Sequence, residues 1–90
     1  MKEIPNIQFT DTQTTATTLL TCLNNPGKEG LDFAQMRARN KVADAIEKVE
    51  AGGVIKLEDS EYVTAQNAIK EVRWVSREDF LLKFAEQFGL

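Results

Sequence analysis

The side chains that could do chemistry in this chain are carboxylates, lysines, arginines and one thiol; none of its 90 residues is histidine. The commonest general base, the commonest metal ligand and the usual triad member are therefore missing. A single cysteine, Cys22, excludes zinc ribbons and Cys-x-x-Cys redox pairs. As a nucleophile Cys22 would need an activating base and an electropositive setting, and Thr21, Leu23 and Asn24 supply neither. It is expected to be a small apolar residue beside Leu19 and Leu23. Glu58, Asp59 and Glu61 cluster, as do Glu78 and Asp79, but both groups fall at expected helix N-termini, where negative charge is favoured. Neither has the alternating ligands and central glycine of an EF-hand loop. Gly27-Lys28-Glu29-Gly30 lacks the Walker spacing and its Lys-Ser/Thr ending, and Gly52-Gly53 follows a helix, where a cap belongs. No catalytic residue, metal or cofactor is expected, and the chain reads as non-enzymatic.

Two sets of residues remain for binding. Trp74, Phe80, Phe84 and Phe88 are large, aromatic and close to the C-terminus, and aromatic side chains are favoured interface anchors. The alternative is that they fill the core. Phe80, Phe84 and Phe88 recur at i, i+4 and i+8, with Leu81 and Ala85 widening the stripe, so part of it is expected to stay wet in a monomer and to drive self-association as a dimer. Arg37, Arg39, Lys70, Arg73 and Arg77 are the candidate nucleic-acid contacts. A tight connection between the last two helices could imitate a helix-turn-helix. Glu78, Asp79 and Glu86 on the second helix would oppose phosphate contact, so nucleic acid is the weaker partner class. A third reading is a small-ligand binder formed between subunits, using Tyr62, Trp74 and nearby arginines.

The elements that must position these residues are legible from start and stop signals. Residues 1–11 look extended, with Ile4, Ile7 and Phe9 alternating with polar residues and Pro5 confining a strand to an edge. Ala16, Leu19, Leu20 and Leu23 share one helical face, against a run of helix-weakening threonines, and Asp11 is a good N-cap; the spacing predicts a helix over Thr12–Leu23. Asp32 and Gln35 have capping-box spacing and open a helix to Ala51 whose buried stripe is Phe33, Met36, Val42, Ala43, Ile46 and Val49. Gly52-Gly53 ends it. Val54 to Leu57 is short and β-branched and could pair with Ile7-Gln8-Phe9. Asp59 caps a helix to Arg73, with Tyr62, Ala65 or Gln66, Ile69 and Val72 inward and Ala68 beside them, and Ser76 with Asp79 opens the last helix, Arg77–Phe88. The fold class expected is mainly α, with three to four short helices and a small two-stranded β element in one domain spanning 1–90.

Composition agrees with a globular chain: 42% of residues are hydrophobic and 28% charged, and the net charge is -3. That charge argues against a broad basic surface. With one cysteine, no apolar run of membrane-spanning length and no secretory signal, a cytoplasmic location is expected.

Leu23-Asn24-Asn25-Pro26, Met36-Arg37-Ala38-Arg39 and Val54-Ile55-Lys56-Leu57-Glu58-Asp59 follow an order that resembles small accessory proteins of tailed bacteriophages and prophages. Those proteins run from a short extended segment through a leucine-rich helix and loop to a charged helix, a short apolar stretch and closing helices. The likeness covers about two-thirds of the chain. It implies an intracellular viral or mobile-element protein, and the class has no shared catalytic residues. The function expected is a protein–protein interaction module, as a phage assembly or accessory factor, with a small DNA-binding regulator as the alternative.

Overall fold

The computed structural model describes residues 1–25, 30–72 and 78–90. In chain order it has β1 (Lys2–Pro5), α1 (Thr15–Leu23), α2 (Phe33–Glu47), β2 (Val54–Leu57), α3 (Asp59–Glu71) and α4 (Asp79–Gln87). The architecture is mainly α with a two-stranded antiparallel sheet. One hydrophobic cluster draws on every element: Ile4, Leu19, Cys22, Val42, Ile46, Ile55, Leu57, Ala65, Ala68, Ile69, Phe84 and Phe88 are among its buried members.

The strand that partners β2 lies earlier than the Ile7–Phe9 expected. Lys2 pairs with Leu57, Glu3 with Lys56, Ile4 with Ile55 and Pro5 with Val54. This register puts Ile4, Ile55 and Leu57 on the buried face. Asn6 N donates to Gly53 O at 2.9 Å. Pro5, one residue back, therefore turns its nitrogen away from β2, and its missing N–H leaves no ladder bond unmade.

Asn6 explains why the chain turns there. It is buried; its Nδ2 donates to Val49 O at 3.1 Å, and its Oδ1 accepts from Ala16 N at 2.9 Å. One amide thus joins the end of β1 to the start of α1 and to the exit of α2. The same junction corrects the end of α2, which stops at Glu47 rather than Ala51. Val49 N bonds Ile46 O in a tighter turn and Val49 O is taken by Asn6, so the α-ladder cannot continue. Gly52 then takes φ +87°, where a Cβ would be strained, and its N–H donates to Asn6 O.

The starts of α1, α2 and α3 carry capping boxes, although not always at the residue expected. The Asp32–Gln35 capping box forms in both directions, at 2.8 and 2.9 Å. α1 is capped by Thr14 and not Asp11: Thr14 Oγ1 accepts from Thr17 N and Thr14 N donates to Thr17 Oγ1. The preceding residues are used in a turn, where Phe9 N and Thr10 N both donate to Gln13 O. α3 has Glu58 at its N-cap rather than Asp59, with Glu61 Oε1 accepting from Glu58 N at 2.8 Å. α4 begins at Asp79, and the expected start at Ser76 and Arg77 lies outside the described residues.

Phe33 and Met36 do not join the buried stripe of α2; Phe33 is 75% exposed and Met36 is also exposed. At about 100° per residue, Phe33 lies about 180° around the helix from Val42. Arg39 occupies the expected apolar slot instead, about 20° from Ile46 by the same arithmetic.

Candidate protein-interaction surface

The C-terminal aromatic set divides. Phe84 and Phe88 are each 0% exposed, with ring centroids 5.4 Å apart in an edge-on arrangement. Phe88 also stacks on Tyr62 at 5.8 Å, and its carbonyl accepts from Gln66 Nε2. The expectation that these two rings form an exposed surface is corrected: both are core. The physical reason is volume, since the buried faces of α1 and α3 carry Ala16, Cys22, Ala65 and Ala68, small side chains that leave room for two rings. Of the Phe80–Phe84–Phe88 stripe, only Phe80 keeps partial exposure within one chain. Trp74 lies outside the described residues.

Phe80 is half-buried on the flank of α4, and its ring sits 5.7 Å from that of Phe9. Between the Ile7–Thr10 segment and α4 runs an open groove of about 680 Å³, lined by Ile7, Gln8, Phe9, Thr10, Glu78, Asp79, Phe80 and Lys83. A second hollow, of about 440 Å³, continues from it past Thr10, Glu78 and Phe80 to Gln13, Thr18, Thr21 and Leu81. The lining combines the Phe9 and Phe80 rings with threonine, glutamine and charged side chains, and Ile7 is 43% exposed. Apolar rings among polar side chains are the composition of a binding groove. Sequence reading found Phe80 but missed Phe9, whose ring is carried there by the turn closed on Gln13.

The segment opposite α4 is tied to that helix by hydrogen bonds. Thr15 is fully buried; its Oγ1 accepts from Ile7 N and donates to Gln87 Oε1, both at 2.9 Å, while Gln87 Nε2 donates to Pro5 O. The Ile7 segment and α4 are thus joined through the Thr15–Gln87 pair.

Three of the five basic candidates fall among the described residues. Arg37 and Lys70 are exposed on α2 and α3, and Arg73 and Arg77 lie outside the described residues. Arg39 is corrected outright: it is 7% exposed and works inside the fold. Its Nη1 donates to the carbonyls of Cys22, Leu23 and Asn25 at 3.3, 3.1 and 2.8 Å, and its Nη2 pairs with Glu71 Oε2 at 2.7 Å. These carbonyls end α1, so the guanidinium caps that helix and pins it to α2 and α3. A shallow polar hollow beside it, lined by Gln35, Thr64, Asn67, Lys70 and Glu71, places an acid next to the two bases. Tyr62 of the small-ligand reading is packed on Phe88, with Lys2 Nζ 5.4 Å from its ring centre.

Cys22 is buried, and burial pushes its thiol up from 9.0 to about 12, with the Arg39 charge pulling weakly the other way. The native thiol is expected to ignore a disulfide-exchange reagent at pH 8 and to react on addition of urea. Because the folded value lies above the unfolded one, the thiol's contribution to stability is intact below pH 9 and is lost as pH rises from 9.0 towards about 12. Comparing the alkaline stability of wild type and Cys22→Ala checks the sign. Rapid labelling of the native protein would contradict it.

Among the described residues no three Cys, Asp or Glu side chains come together to hold a metal ion, and no helix is long and apolar enough to cross a membrane. No family model, curated protein or solved structure matches the chain.

Proposed function

We propose that this chain is a non-enzymatic protein–protein interaction module whose partner docks in the groove between Ile7–Thr10 and α4. The observation that carries the reading is the half-buried Phe9–Phe80 ring pair lining that groove, while the other two C-terminal phenylalanines close the core. Large aromatic side chains in a polar-rimmed concavity are the usual anchors of protein contacts. The setting we assign, from the sequence resemblance, is an accessory or assembly factor of a tailed bacteriophage, acting in the host cytoplasm. The DNA-regulator reading is weakened by one contact, Arg39, whose charge is spent on backbone carbonyls and Glu71.

The test is co-purification from cells that express the protein naturally. Tagged wild type is expected to retain a partner that the Ile7→Glu/Phe80→Gln variant loses at least tenfold, with unchanged circular dichroism. Retention on duplex DNA is expected to vanish at about 0.15 M salt. Identical partners on both proteins, or DNA retention that survives that salt with a steep salt slope, would sink the proposal.

A further inference from the structure

We infer that the groove takes an extended peptide that is basic and apolar, adding to the chain edge at Gln8 and seating an apolar side chain against Phe9 and Phe80. This rests on the reading of the groove as the interaction surface and names the partner's chemistry.

The backbone points to an extended partner. Ile7 O accepts from Thr15 N at 3.0 Å and Phe9 N donates to Gln13 O at 2.9 Å, so both neighbours of Gln8 bond inward across the Gln8–Thr14 bridge. In an antiparallel bridge of this kind the intervening residue turns its own N–H and C=O the opposite way. Gln8 is exposed and lines the groove, so one donor and one acceptor of the main chain face the space a peptide would fill. Main-chain pairing gives affinity in strand addition, and a pocket for one side chain gives selectivity. The Phe9–Phe80 pair lines that pocket.

Charge points to a basic partner. Among the described residues that line the groove, Glu78 and Asp79 stand against one base, Lys83, and from Glu3 to Gly27 the sequence has no lysine or arginine. The start of α4 offsets roughly half a charge through the helix dipole, which leaves these described groups acidic in sum. An anionic segment would meet two carboxylates there, whereas a lysine or arginine beside the apolar anchor would be attracted.

The experiment is an amide NMR titration of the full chain with blocked synthetic pentapeptides. Lys-Leu-Lys-Phe-Lys is expected to move the Gln8, Phe9 and Asp79–Lys83 amides, and Glu-Leu-Glu-Phe-Glu is expected to leave them in place at equal concentration. Methylating the central backbone nitrogen of the basic peptide is expected to weaken binding at least tenfold, and Glu78→Gln/Asp79→Asn at least threefold. Equal binding by the acidic or N-methylated peptide at the same amides would overturn the inference while leaving the groove a protein-binding surface. No movement at those amides with any peptide overturns it too, and the co-purification result then decides the groove by itself.

Discussion

Replacing Phe84 with alanine is expected to lower the unfolding free energy by about 4 kcal/mol, because a fully buried ring is lost and the cavity it leaves collapses only in part. A chain of this length has roughly 5–13 kcal/mol of total stability, so one substitution removes a large share. Phe84→Asp goes further, since a carboxylate would be buried among apolar groups with no partner. It is expected to abolish folding rather than to yield a folded monomer. Phe80→Ala, at the flank of the same helix, is expected to cost only about 1–2 kcal/mol, and Leu82→Ala, on the exposed face, under about 0.5 kcal/mol. Urea unfolding of the three alanine variants gives the ranking. A cooperative, wild-type-like midpoint for Phe84→Ala would show that the ring is not part of the core.

Arg39→Met is expected to cost about 3 kcal/mol. The side chain keeps its apolar stem but removes the charged donor that the carbonyls of Cys22, Leu23 and Asn25 share. Glu71 is not the main term. Its side chain is 47% exposed, so it rehydrates when the pair breaks, and Glu71→Gln is expected to cost about 1 kcal/mol, less in high salt. The two substitutions separate helix capping from ion pairing. If Glu71→Gln were as damaging as Arg39→Met, the ion pair rather than the cap would be what holds the α1 terminus. If Arg39→Met stayed within about 0.5 kcal/mol of wild type, Arg39 would be a surface residue after all.

The helices were legible because their signals are local. Asp32 with Gln35 and the apolar spacing of α1 and α3 are set by neighbours within a turn, and the four helices stand where those signals place them, to within a few residues. What was not legible depended on contacts distant in sequence. Ile4 and Asn6 share one face of the N-terminal segment, and nothing nearby tells that this face, rather than that of Ile7 and Phe9, meets β2. Asn6 itself is a polar residue on a buried face, satisfied from Ala16 and Val49. Arg39 left a trace: it falls in register with Val42 and Ile46, where an apolar residue is due, and a charge in that slot needs buried partners. The division of the phenylalanines also follows from helix geometry. Phe84 and Phe88 lie about 40° apart on one face, and Phe80 is about 80° from Phe88. Which of them is covered depends on the small side chains of α1 and α3, and that is a property of packing rather than of spacing.

The groove around Phe80 is the claim on which the functional account depends, and site-specific photo-crosslinking in cells that naturally express the protein tests it most directly. A photoreactive side chain is placed in turn at positions 7 and 83, on the rim, and at positions 37 and 54, which are exposed elsewhere on the surface. The account predicts an adduct with another protein from positions 7 and 83 and none from 37 and 54. Adducts from 37 or 54 alone, or no adduct at either rim position, would contradict it.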